Sequence, residues 1–224
     1  MNYAMVKRLI LKDWYFQRWA ILGYLAAGAL AVFLVGQGGE GSFYAGSILL
    51  LTVLITVGIH LPMTTVINER KEQTLAFVMS LPISAKEYTT AKILANVLIL
   101  LIPWTAITLG SLTVIAGRAA LPGGLIPLGA VVLTEILVGS CLLLAVALVS
   151  ESLGWTIGAM VFANLFFQGF LYYVSHIPSI AATMKSPTAV WSSAAVTLLL
   201  AEIGAIALLL GLTFFFQSRK TDFI

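Results

Sequence analysis

Two carboxylic acids, Glu135 and Glu202, stand inside long apolar runs of this chain, where a polar group is costly and therefore invites a chemical role. An ionised side chain at the centre of a bilayer costs about 2.5–3.5 kcal/mol on insertion scales. Each acid lies roughly eleven residues from the same end of its run, so the two are expected at similar depth. Neither run contains a lysine or arginine to pair with them. One reading is a polar lining or a proton-sensitive step in transport. Another is a protonated acid hydrogen-bonded between packed helices, and an intramembrane enzyme using both acids is a third class. Asn164 and Gln168 sit one helical turn apart among Phe162, Phe166, Phe167 and Phe170. An aromatic face with two amides suits an amphipathic or lipid-like substrate, and interhelical hydrogen bonding explains the same residues. Asn164, Phe167, Gln168, Glu135 and Glu202 are therefore the candidates for a substrate path.

Other chemistry is missing. Cys141 is the single cysteine, which excludes an intramolecular disulfide and a cysteine-rich metal site. His60 and His176 are the only histidines and fall on opposite predicted sides of the membrane, so no multi-histidine metal site is expected. His60 and Pro62 read as a kink near the end of the second span. There is no phosphate-binding loop and no polar segment large enough to fold around a nucleotide. No catalytic, cofactor-binding or metal-ligating residues are assigned, and energy for transport must come from a partner or an ion gradient.

The elements that would hold these groups are membrane helices. The 224 residues are 60% hydrophobic and only 9% charged, with a mean hydropathy of +1.04. Soluble domains carry about 25% charged residues. Continuous apolar runs near 20 residues exclude a β-barrel and require helices, which satisfy their own backbone. The expectation is an all-α polytopic membrane protein, one transmembrane domain over residues 1–224, with spans near 19–35, 44–67, 88–116, 125–149, 155–174 and 191–216. An even number of spans puts both termini on one side. Ten of the twelve basic residues share that side, leaving Arg118 and Lys185 opposite. Positive charge marks the cytoplasmic face, so the chain is expected in the cytoplasmic (inner) membrane with both termini on the cytoplasmic side. The basic residues form no patch with interleaved aromatics, so no nucleic acid is expected as a partner.

Three further segments stand out. Residues 1–18 mix Lys7, Arg8, Lys12 and Arg18 with Val6, Leu9, Ile10 and Trp14, the composition of a helix lying in the membrane surface. The third span is long enough to tilt, project or kink at Pro103, at on the order of 40 Å. The outer segment, 175–190, carries Pro178 and Pro187 and reads as a short re-entrant helix or an ordered loop. The longest polar interruption is 68–87. There Glu69, Arg70, Lys71 and Glu72 open a helix whose Leu75, Val78 and Met79 share a face, and Pro82 ends it. Ser84 and Glu87 then form a capping box that starts the next helix.

A basic leading helix, six spans and the cytoplasmic run E-R-K-E-x-T-L-x-F-x-x-S-L-P-I-S-x-K-E-Y, followed by Lys92, together resemble a permease subunit of the ABC-2 class of ABC transporters. The topology covers the whole chain. The more specific motif covers only Glu69, Arg70, Thr74, Leu81, Pro82, Ser84, Glu87 and Lys92. The resemblance implies a homodimer or heterodimer of permease subunits bound to two cytoplasmic ATPase subunits, which would hold ATP and Mg. It also implies a coupling helix that docks into the ATPase, drawing on Glu69, Arg70, Glu72, Thr74, Leu75, Val78, Met79, Leu81 and Pro82, and a path faced by the second and fifth spans. Export of a lipid, peptide, antibiotic or drug is the implied activity. A regulatory or assembly subunit without transport is the alternative.

Overall fold

A computed structural model describes residues 3–72, 84–118 and 121–219, and every element among them is helical. The chain runs α1 (Tyr3–Val35), α2 (Glu40–Pro62), a π-helical turn (Met63–Ile67), α3 (Asn68–Lys71), α4 (Ala85–Gly117), α5 (Leu125–Ser150), α6 (Leu153–His176), α7 (Pro178–Ala181) and α8 (Ser193–Gln217). Six stretches are long and apolar enough to cross a membrane: α1, the unbroken run Glu40–Lys71, α4, α5, α6 and α8. Their positions agree with the six expected from hydropathy.

The leading basic segment does not form a helix of its own. No proline or glycine interrupts the chain between Tyr3 and Trp19, so α1 continues without a break into the first span for 33 residues. Its buried stripe of Val6, Leu9, Asp13, Gln17 and Ile21 recurs every three or four positions and lies against the protein. The polar members of that stripe prepare the site described below. Gly38, at a φ of 78°, and Gly39 turn the chain from α1 into α2.

α5 is the central helix. It packs against α8, α6, α2 and α4, and every residue from Val131 to Leu137 is buried. A helix that is apolar all round can be packed on every side without burying a charge. α2 approaches it closely at Gly58, where a Cβ would overlap the Ser140 hydroxyl. Small residues at such a crossing let two membrane helices meet backbone to backbone. At the end of the bundle away from the termini, Gly124 N–H donates to the Ser186 carbonyl at 3.1 Å. The short helix α7 presses Ile180 onto Val131, Val174 and Ala195, so the 175–190 segment covers that end.

α4 begins as its local sequence dictates. Ser84 accepts from Glu87 N–H at 3.3 Å while the Glu87 carboxylate accepts from Ser84 N–H at 2.8 Å, completing the expected capping box. The helix passes through Pro103 and runs 33 residues to Gly117.

Candidate functional site: a charge ring and a lateral cavity

The terminal end of the bundle gathers the start of α1, the end of α3 and the start of α4 around four charges. Lys92 Nζ contacts Asp13 Oδ2 at 2.9 Å and Glu69 Oε1 at 2.8 Å. Lys12 Nζ lies 3.3 Å from Asp13 Oδ1 and also pairs with Glu69 Oε1. The four residues thus close a ring of alternating sign, Lys12, Asp13, Lys92 and Glu69, with no net charge. Lys92 and Asp13 are 1% and 4% exposed, so this is an interior cluster and not a surface pair. The Tyr88 hydroxyl, one turn before Lys92, donates to Glu69 Oε2 at 3.4 Å.

A second polar layer lies one turn along each helix. Gln17 Nε2 donates to Thr64 Oγ1 at 2.8 Å, Thr64 donates to the His60 carbonyl at 2.8 Å, and His60 Nε2 donates to Gln17 Oε1 at 2.9 Å. Asn96 Nδ2 donates to the Lys92 carbonyl at 2.9 Å, and its Oδ1 lies 3.0 Å from the Thr65 hydroxyl. The π turn after Pro62 makes this possible. Its extra residue re-aims the following side chains, so that Thr64 reaches α1, Thr65 reaches α4 and Glu69 reaches both. Proline supplies no backbone N–H, and the hydroxyls of Thr64 and Thr65 bond back to the His60 and Leu61 carbonyls. His60 and Pro62 accordingly belong to a distorted turn, as expected, and His60 is bonded within it.

Next to the ring, Arg70 Nη1 pairs with Glu151 Oε2 at 2.7 Å, and Gln217 Nε2 donates to Glu151 Oε1 at 3.1 Å. Glu151 ends α5 in the left-handed conformation, φ 56° and ψ 20°, a place usually left to glycine. Through it, α3 is fastened to α5 and α8.

Deeper in the bundle, α2, α5 and α6 enclose a half-open cavity of about 220 Å³. Its walls are Ile55, Ile136, Met160, Phe162, Phe166 and Phe167 with others, and its polar groups include Glu135 and Asn164. The Asn164 amide donates to the Met160 carbonyl at 2.9 Å. Of the five residues expected along a path, the structure therefore brings Asn164, Phe167 and Glu135 together. Gln168 is exposed on the outer side of α6 instead, because one helical turn of four residues overshoots a full rotation. Glu202 is buried on α8 and does not line the cavity.

Residues 8–149 match the family described as ABC-2 family transporter protein. This chain is an ABC-2 family permease. The match covers more than half of its length, and six apolar helices make it a multi-pass membrane protein. No curated protein and no solved structure matched the chain. In this ABC-2 permease, Thr74, Leu75, Val78, Met79, Leu81 and Pro82 lie outside the described residues. Glu72, just before them, is exposed, whereas Glu69 and Arg70 are engaged inside the protein. Sequence reasoning placed Lys92 in a motif and used Lys12 for topology, but it missed Asp13, Tyr88, Asn96 and Glu151 as members of one network. The available signal was Asp13 itself, a lone acid in a basic stretch followed one turn later by Gln17.

Proposed function

We propose that this ABC-2 permease is the membrane subunit of an ATP-driven exporter for an apolar or amphipathic compound. Two permease subunits and two separate ATPase subunits would form the transporter, with ATP and Mg held by the ATPases. Both termini and the charge ring would face the cytoplasm, as the basic residues favour. Membership of a transporter family makes an ATPase the expected partner.

The observation that carries this reading is the placement of the ring. Glu69 and Lys92 stand on either side of the connection 72–84, and they are bonded directly to one another. A displacement of that connection by a docked ATPase reaches α1 through Asp13 and Lys12, and reaches α5 and α8 through Arg70, Glu151 and Gln217. Packed helices joined by such networks move as units about a few hinges, and the π turn that follows α2 is a place for one. The cavity on α2 is the space that such a movement would open or close. Glu69 and Arg70 act in this reading as fasteners, leaving Glu72 and the residues after it to touch the ATPase.

Co-purification with the ATPase encoded beside this chain, combined with transport assays in vesicles, tests the assignment. The variant Glu72→Arg should lose ATPase association at least tenfold while keeping the wild-type melting temperature, because Glu72 is exposed and makes no internal ion pair among the described residues. Intact association and transport in that variant would remove the docking role.

A further inference from the structure

The cavity between α2, α5 and α6 has mostly apolar walls and, among the described residues, one acidic group. Phe162, Phe166 and Phe167 supply rings, Ile55, Ile136 and Met160 supply aliphatic surface, and the Glu135 carboxylate stands among them. Glu135 is 7% exposed. Among the described residues it has no hydrogen-bond or ion-pair partner. On α8, Glu202 is 5% exposed, and among the described residues neither of its carboxylate oxygens has a hydrogen-bond partner. Among the described residues no lysine, arginine or histidine lines the cavity. The nearby ion pairs of the terminal end are fully used by one another, as the ring and the Arg70–Glu151 pair show. This site contrasts with that one: Asp13, Glu69 and Glu151 each have a cation at the charged end, and no cation is paired with Glu135 or Glu202 among the described residues.

We infer that the cavity binds the cationic head of an amphiphile, with Glu135 as the direct counter-charge and Glu202, outside the lining, adding to the negative potential. The inference rests on the reading of this cavity as part of the transport path. Charge complementarity selects the class. In an apolar surrounding the attraction between opposite charges is far stronger than in water, and an unpaired acid there is the feature a cation would satisfy. Aromatic rings around it favour an ammonium or guanidinium group, whose charge also interacts with ring faces. Phe162, Phe166 and Phe170 stack in a row, with centroids 6.1 and 6.4 Å apart. Phe162 and Phe166 line the cavity and are 60% and 53% exposed, so the row runs along α6 where the cavity meets the outside. A volume of about 220 Å³ accommodates a small head and the first part of a chain, and the rest of the chain would lie along that row. Asn164 stands at the wall as the one amide able to turn towards a bound polar group.

The test uses the full chain in nanodiscs of zwitterionic lipid, with empty nanodiscs as the blank. Tritiated decyltrimethylammonium, whose charge is permanent, and tritiated decyl sulfate are the probes. The wild type should bind the ammonium at least tenfold more tightly than the sulfate. Glu135→Gln, which keeps shape and hydrogen-bonding capacity, should lower ammonium affinity about tenfold, and Glu202→Gln about threefold. Equal binding of the two probes by the wild type, no specific binding of either, or unchanged affinity in Glu135→Gln overturns the inference. A separate arm isolates the path itself: Ala163→Trp fills the cavity. Transport blocked by Ala163→Trp, with probe binding indifferent to charge, would sink the cation and keep the path. Unimpaired transport in Ala163→Trp would remove the path.

Discussion

Lys92 is enclosed by protein, and its ammonium is tolerable there only because two carboxylates contact it on α1 and α3. Removing one partner of a buried ion pair typically costs 3–5 kcal/mol, since the opposite charge is left without compensation. Lys92→Met is therefore expected to destabilise the protein by about 3 kcal/mol, read as a large drop in melting temperature in mild detergent. Adding Asp13→Asn should restore part of the loss, because Lys12 and Glu69 then remain as a neutral pair. A K92M protein that melts with the wild type would mean that the ring carries no stability. Glu151 poses a different balance. Its left-handed backbone costs a non-glycine residue roughly 1–2 kcal/mol, and its carboxylate joins Arg70 to Gln217. Glu151→Ala loses the bonds and keeps the strain, whereas Glu151→Gly loses both. Denaturation should find the glycine variant more stable than the alanine variant by about 1 kcal/mol.

Helices in this bundle meet where side chains are small, and the crossing of α2 with α5 is the tightest case that bears on the cavity. Gly58 and Ser140 both border that space, and a methyl at Gly58 would collide with the Ser140 hydroxyl. Overpacking of this kind costs about 1–3 kcal/mol. Gly58→Ala should lower the melting temperature, and Ser140→Gly in the same chain should recover most of the loss. Absence of recovery would place the strain elsewhere. Much of this element layout was legible in the sequence. Six apolar runs gave six helices because a bilayer leaves no other way to satisfy the backbone. The Ser84 and Glu87 cap was legible because its two partners lie three residues apart. The ring was not, since Asp13 and Lys92 are 79 positions apart and only packing brings them together. The π turn also escaped detection: Pro62 announced a distortion but not its register. The helix expected over residues 1–18 continues into the first span, since basic residues on one face of a helix do not end it and no proline or glycine intervenes.

At the scale of the whole molecule, burial is lopsided. α5 is wrapped on all sides, whereas α6 and α8 leave most of their surface outside, including Leu165, Phe166, Leu200, Leu208 and Phe216. Lipid alone could cover those apolar groups. Gln168 is harder to place in lipid, because it sits in the middle of α6 with its amide exposed and no hydrocarbon chain can satisfy it. Amides in such positions are common glue between membrane helices, at about 0.6–2 kcal/mol each. The second permease subunit of the proposed transporter would therefore cover α6 near Gln168, beside the open side of the cavity. Cysteine placed at 168 in a Cys141→Ala background should cross-link two copies in membranes with a short bis-maleimide, if the partner is a second copy of this chain. Gln168→Leu separates the remaining cases by sign. It should weaken association of the two subunits when a partner covers the amide, and it should leave the subunit at least as stable as before when only lipid does.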